Sequence, residues 1–488
     1  MRSKTTARYV LGFNDGGHVL MEDACVVYSG STIEYVGCDY QGPVDEERDL
    51  GDALLMPGLI DLDALTDIDH LILDSWSGPE LSKGHQWSED YFRNHRADVF
   101  TAGERRDIRE YALLQLVLHG ITTYMPIASE VHSEWAESYG ELVDMAETSR
   151  RLGLRGYLGP AYRSGVNVVL AGGERSVMFD AERGRQGFAD ALRFIDHATE
   201  LDDPLVTGVL LPCRIETLEV DLLKATAAAS AERDVLVRLH SLQGLLERGI
   251  ILERHGVTPL ELMDQAGLLN RRLLIPHATY LDRNPAVYGE DRGDLGRLAQ
   301  SGASIVHCPL TSMRYGSALD SFNAYRAAGV NISLGTDSFP PDLIRGIDAG
   351  VQLAKILAGS NDAGDLAGYF DAATLGGARA LGRPDLGRLE PGAQADMVAF
   401  SLGDIRDGVH DDPLRTLILN GTARQAVLSV VAGRTIMAEG RIPGVDLEYW
   451  RARAQELFTK MRDAYTLRDA RNQSANELFP PVYARVER

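Results

Sequence analysis

Residues 235–240 read Val-Leu-Val-Arg-Leu-His and residues 273–277 read Leu-Leu-Ile-Pro-His. Each is a short apolar run closed by a histidine. Residues 331–338 have the same texture and reach Asp337 at their end. Imidazoles and carboxylates ligate divalent metals and move protons. One histidine at a strand end is ordinarily a satisfied structural group. His240, His277 and Asp337 at three strand ends of one barrel would instead form a working set. Asp63 is the fourth candidate, at the end of an apolar run that begins at Leu54. Side chains alternate faces along a strand, so Asp63 and Leu65 point the same way. An inward carboxylate is costly unless it is paired or used. Leu65 cannot ligate any metal.

The elements that must hold these groups follow from the pattern between them. Across residues 59–385, short apolar runs alternate with helical segments, which predicts an α/β fold with a parallel sheet closed as a (β/α)8 TIM barrel. Eight strand candidates end near Asp63, Ile127, Tyr162, Cys213, His240, His277, Cys308 and Asp337. Helices are predicted over residues 102–118, 141–152, 180–200, 219–232 and 259–266. The last has Thr258 as N-cap and Pro259 at its first position. Active groups of such a barrel sit at the C-terminal ends of its strands. Short β-rich runs lie at both ends of the chain, separated by Gly and Asp turns. Residues 1–58 and 386–440 are therefore expected to build one composite β-sandwich domain. Residues 441–488 add a charged helix and a tail. Its Trp450, Leu457, Phe458 and Met461 suit packing on the body or on a second subunit.

The net charge of −22 argues against nucleic acid or an anionic membrane as partner. No apolar run approaches the ~18 residues that span a bilayer. The start of the chain has no apolar signal core, so a cytoplasmic location is expected. The four cysteines form no Cys-x-x-Cys pair and read as reduced thiols.

Several motifs resemble the amidohydrolase superfamily, in particular its cytosine deaminase, guanine deaminase and triazine hydrolase branch. Residues 54–62, with Pro57-Gly58-Leu59-Ile60-Asp61, resemble the approach to that family's His-x-His strand. Gly120-Ile121-Thr122-Thr123-Tyr124 resembles its Gly-Thr-Thr-Thr strand, and His307-Cys308-Pro309-Leu310-Thr311-Ser312 its His-Cys-Pro loop. Residues 387–396, Gly-Arg-Leu-Glu-Pro-Gly-Ala-Gln-Ala-Asp, resemble the segment that leads back into the β domain. The resemblance implies that His240 and Asp337 stand where metal ligands stand, with His277 where a histidine ligates or orients the substrate and nucleophile, a candidate fourth ligand.

Three departures bear on the chemistry. Asp63-Ala64-Leu65 replaces His-x-His. Gln243 replaces the acid of His-x-x-Glu, and Ser312 replaces an asparagine. Glutamine cannot exchange a proton near neutral pH. The expectation is an enzyme acting on a C–N bond of a small cyclic or amide-type substrate. Its acid–base site would be altered and metal-free, made of Asp63, His240, His277 and Asp337. Gln243, Ser312, Trp87, Tyr162 and Arg163 would contact substrate. Trp76, His85 and Tyr91 share the loop with Trp87, and His70 is a remote replacement ligand. Two alternatives stand beside this reading. One is a metal-dependent deaminase with a single Zn, Fe or Mn held by Asp63, His240 and Asp337. The other is a non-catalytic binding relative. The expected partners are a small-molecule substrate and a second copy in a homodimer.

Overall fold

The computed structural model describes residues 1–68, 87–127, 133–289, 291–409 and 411–484. A long hairpin opens the chain: Arg2–Asn14 pairs antiparallel with Gly17–Ser29, which pairs with Thr32–Gly37. The other edge of Arg2–Asn14 carries Glu46–Asp49 and Ala53–Pro57 in parallel. Ala53–Pro57 then pairs antiparallel with Met397–Ser401, followed by Ala426–Val431 and Arg434–Ala438. Both chain ends therefore meet in one β unit, as the sequence predicts. Hydrogen bonds run through it as a single eight-stranded sheet, where a two-sheet sandwich is expected. The cause is the length of Arg2–Asn14, which spans partners on both sides and leaves no break between sheets. Alternation gives this sheet two buried faces. Tyr9, Leu11, Leu54, Met56 and Phe400 join the main core, while Val10, Val26, Leu55, Met397 and Val430 form a second.

Between the two halves of this sheet lie two four-stranded parallel arrays. The first has the order Val206–Gly208, Arg155–Leu158, Ile121–Ile127, Leu59–Leu65. The second runs Val237–Arg238, Leu273–Pro276, Ser304–His307, Asn331–Leu334. They touch at both edges. Leu210 donates to the Leu236 carbonyl and Arg238 to the Leu210 carbonyl, each at 3.0 Å; at the other edge, Asp337 N donates to the Asp63 carbonyl at 2.8 Å. Ile60, Leu62, Met125, Val209, Leu274 and Val306 form one cluster drawn from both arrays. The third and fourth predicted strands stop early and restart as the short parallel pair Ala161–Tyr162 and Leu211–Pro212. Gly159 sits at that break. A Cβ there would lie 2.2 Å from the Val209 carbonyl oxygen, so only glycine admits the approach.

The helix Ala102–Leu118 matches its predicted range, and Thr101 caps it with Glu104 in a reciprocal box. Pro259–Gln265 starts on the predicted Thr258 cap. The helix Leu447–Ala464 packs Leu457 and Met461 with Ile68, Phe100 and Ile108 of the same chain. Those two side chains are therefore spent on the body and are not offered to a second subunit. No helix among the described residues is long and apolar enough to cross a membrane.

One buried ion pair ties the sheet to the first array. Arg155 donates to both oxygens of Asp396, Nε at 3.0 Å and Nη2 at 3.2 Å, and Ala432 N donates to Asp396 at 2.7 Å. Asp396→Ala would leave a buried guanidinium uncompensated. The expected cost is about 3–5 kcal/mol, read as a lower urea midpoint. An unchanged midpoint would show that this contact does not anchor the two units.

Candidate active site

Strand Leu59–Leu65 is buried throughout and turns Asp61 and Asp63 to one face. Asp61 stitches this strand to the segment after Asn331–Leu334. Its Oδ1 accepts from Asp63 N at 3.1 Å and Thr336 N at 3.0 Å, and its Oδ2 from Thr336 Oγ1 at 2.6 Å. Burial raises Asp61 to about 7, against the Thr336 hydrogen bonds that hold it down. Gly335 makes the approach possible, because a Cβ there would lie 2.5 Å from Asp63 Cβ. Asp337 is thereby delivered beside Asp63. His240 follows Val237–Arg238, and His277 follows Leu273–Pro276. Leu242, His277 and Asp337 have positive φ of 59°, 68° and 37°. Non-glycine residues in that region mark strain, which concentrates at functional sites.

Asp63, His240 and His277 each aim one ligand atom into a common space, all within 4.8 Å of one another. Asp63 Oδ2 lies 3.3 Å from His240 Nε2, and His277 Nε2 lies 3.6 Å from Asp337 Oδ2. His240 Nε2 and His277 Nε2 are buried and make no hydrogen bond. Orphaned buried polar atoms are costly, and native folds keep few of them. Two such nitrogens beside the Asp63 carboxylate suit a cation. Two imidazoles and a carboxylate also match the three protein donors of a catalytic zinc site. The donor set therefore fits a divalent metal, and the expected loss of the metal site is not supported. His277, a candidate fourth ligand by sequence, belongs to this three-residue group, and Asp337 stands beside it.

The surroundings set the charge states. Burial pushes Asp63 up, but His240 and Arg238 overcome it and hold Asp63 well below the usual carboxylate range. Burial, then the charge of His240, pushes His277 well below the usual imidazole range. Burial and the charge of Asp63 push Asp337 well above the carboxylate range. Burial and neighbouring charge thus favour the ionised form of Asp63, the neutral form of His277 and the protonated form of Asp337.

The expected substrate contacts divide. Tyr162 faces outward: it is fully buried, its hydroxyl bonds Thr226 Oγ1 at 2.8 Å, and its ring packs on Phe188. It is a core residue, because the strand restart at residue 161 turns it toward the helices. Trp87 is also engaged elsewhere. It stacks on Phe92 at 5.2 Å, with the Arg468 guanidinium 3.7 Å from its ring centre. Arg163 is buried and donates Nε to the Trp135 carbonyl at 2.7 Å. It lines a cavity with Asp67, Phe100, Trp135, Glu137 and Cys213, and none of Asp63, His240, His277 and Asp337 is among the lining residues. Gln243 accepts from Arg214 Nη2. Ser312 is buried in the short helix Pro309–Arg314. Trp76, His85 and His70 lie outside the described residues.

Three residues of this site were not singled out from sequence. Arg238 places Nη1 3.2 Å from Asp63 Oδ1. The Cys308 thiol donates to Asp63 Oδ2 at 3.6 Å. Glu247 accepts from Ser241 Oγ, Leu242 N and Gln243 N at 3.0, 2.7 and 3.1 Å, which fixes the loop after His240. Period-two alternation from His240 could have found Arg238, and the predicted strand end at Cys308 could have found the thiol; nothing local pointed to Glu247.

The profile of the Amidohydrolase family matches residues 54–436. The chain belongs to this family, and so to the hydrolases that act on C–N bonds other than peptide bonds. It is 29% identical over 341 residues to a 5-methylthioadenosine/S-adenosylhomocysteine deaminase of Pyrococcus horikoshii, covering 69% of this chain and 73% of that one. It is 28% identical over 343 residues to an 8-oxoguanine deaminase of Pseudomonas aeruginosa, covering 69% and 72%. An adenosine deaminase from Xanthomonas campestris with bound zinc superposes with a TM-score of 0.76 at 22% identity, covering 94% of this chain and 98% of that one. An atrazine chlorohydrolase from Arthrobacter aurescens complexed with zinc gives 0.74 at 22% identity, covering 93% and 100%.

Proposed function

We propose that this chain is a metal-dependent deaminase of small aminated heterocycles, with Asp63, His240 and His277 as the cation's ligands. The observation that carries the reading is the convergence on the Asp63 carboxylate of two buried imidazole nitrogens that make no hydrogen bond. The two parallel arrays, touching at both edges, are read as one eight-stranded barrel over residues 59–385. Residues 1–58 and 386–440 form the sheet domain on this reading, and residues 441–488 an appended helix and tail. The purine deaminases among the relatives support an amino group on a planar ring as the point of attack. The cavity beside Arg163 and Trp135 offers an apolar wall and a cation, which suit a ring with one polar edge.

A divalent cation held there would supply Lewis acidity and make water a nucleophile near neutral pH. The chain's own groups do the rest. Water adds to the ring carbon, the C–N bond breaks, and ammonia leaves as a carbonyl forms. Asp337 lies 3.6 Å from His277, and its burial favours the protonated form, so it is placed to pass a proton toward the leaving nitrogen. Gln243, occupied by Arg214, cannot take that role.

The test is ammonia release from a panel of aminopurines, aminopyrimidines and aminotriazines. Each assay is run on metal-stripped protein and on protein reloaded with zinc, iron or manganese. The expected result is release that vanishes on stripping and returns on reloading. Release that survives complete stripping would sink the metal-dependent reading and return weight to a metal-free acid–base site.

A further inference from the structure

Arg238 lies two residues before His240 on the same strand and so faces the same side. Its side chain is 3% exposed, and Nη1 reaches 3.2 Å from Asp63 Oδ1. The same nitrogen donates to the Met125 carbonyl at 3.4 Å, which keeps the guanidinium in place. The opposite side of the carboxylate is different ground. Asp63 Oδ2 faces His240 Nε2 at 3.3 Å and the Cys308 thiol at 3.6 Å. The two oxygens of Asp63 therefore serve two clients, a fixed positive charge on one side and the donor cluster on the other.

An imidazole at position 63 has no second oxygen with which to do this. A carboxylate accepts on both oxygens and bridges two cations. A guanidinium does not deprotonate in a protein, so its charge is permanent. Any divalent ion taken up through Oδ2 shares its anionic ligand with that charge, in surroundings that screen poorly. In return, Arg238 compensates Asp63 when the cation is away.

We propose that Arg238 is a resident cation that shares Asp63 with the metal, so that the metal is weakly held and exchangeable. The inference rests on the metal-dependent reading above. It predicts a site that loads and empties with the supply of divalent cation, while the fold persists in either state.

Zinc affinity of metal-free wild type, Arg238→Met and Arg238→Lys is measured by competition with a chromophoric chelator. The zinc that counts in each protein is the fraction abolished by adding His240→Asn, which separates the site from the acidic surface. Arg238→Met is expected to bind zinc about 10-fold to 100-fold more tightly than wild type, the range over which groups around metal ligands tune affinity. Arg238→Lys keeps a positive charge and is expected to stay close to wild type. Equal or weaker binding by Arg238→Met, with wild type binding zinc, would overturn this inference alone. So would Arg238→Lys binding as tightly as Arg238→Met. Absence of site zinc in all three would overturn the metal reading and this inference with it. If Arg238→Met does not fold without metal, it is refolded across a zinc series beside wild type. Recovery that rises with zinc in the variant only supports the proposal, and recovery independent of zinc in both overturns it.

Discussion

Asparagine in place of His240 or His277 is expected to lower turnover by about 10²–10⁴-fold, the range for groups that act directly on the reacting atoms. The fold should survive. Asparagine is smaller than histidine and polar, and neither imidazole Nε2 makes a hydrogen bond whose loss would destabilise the chain. The two variants should differ in kind. His240→Asn removes the imidazole that faces Asp63 at 3.3 Å, so Asp63 keeps only Arg238 and Cys308. His277→Asn removes the partner of Asp337. The first should weaken cation retention more, and the second should disturb the pH profile more. Tyr162→Phe is the contrast. Its hydroxyl meets only Thr226, on the helix side. It should cost about 0.5–1.5 kcal/mol of stability and leave turnover near wild type. Steady-state kinetics with thermal unfolding separate these cases. Full activity in both histidine variants would remove the pair from the mechanism.

These residues also show where sequence reading succeeded and where it stopped. His240, His277 and Asp337 were legible because each closes an apolar run, and strand ends of a parallel α/β fold share one mouth. The alternation of runs and the Thr258 cap placed the five helices named between the strands to within two residues and missed others such as Leu245–His255 and Leu343–Ala358. Asp63 was legible as an anomaly, and the metal-free consequence drawn from it is not supported. Counting the imidazoles missing from the first strand suggested that metal binding had gone. What restores a three-donor set is His277, whose left-handed backbone swings its ring toward Asp63. No periodicity encodes that turn. Tyr162 failed for a similar reason. The strand breaks at Gly159, which shifts the face that residue 162 presents. Glu247 acts through a loop cap, which strand pattern does not carry. The sandwich became one sheet because strand length, which set its continuity, was underestimated from β-rich runs of only three to five residues.

Asp63→Ala is expected to destabilise the protein by about 3–5 kcal/mol, more than its small volume change implies, because it strands Arg238. Both side chains are buried, at 0% and 3% exposure. A guanidinium left there without its carboxylate has one hydrogen bond, to the Met125 carbonyl at 3.4 Å, and Nε already lacks a partner. Arg238 also acts on Asp337 and Glu137, both raised by burial, which would have to ionise to compensate. The companion variant Arg238→Met strands the carboxylate in turn and should cost a similar amount. The double variant Asp63→Ala/Arg238→Met removes both charges and should recover much of the loss, since a matched deletion leaves no buried ion. A coupling energy of about 2–3 kcal/mol from the urea-denaturation cycle on metal-free protein is the expected result. Additive losses would show that Asp63 and Arg238 do not sense each other. In that case Asp63 would be held by His240 and Cys308 alone, and the guanidinium would be compensated by some other acid. The cycle is informative for the whole site because it isolates the pair whose positive partner is charged at every working pH and needs no metal. If the coupling is large, an aspartate where relatives use histidine is explained by its guanidinium partner on the fifth strand.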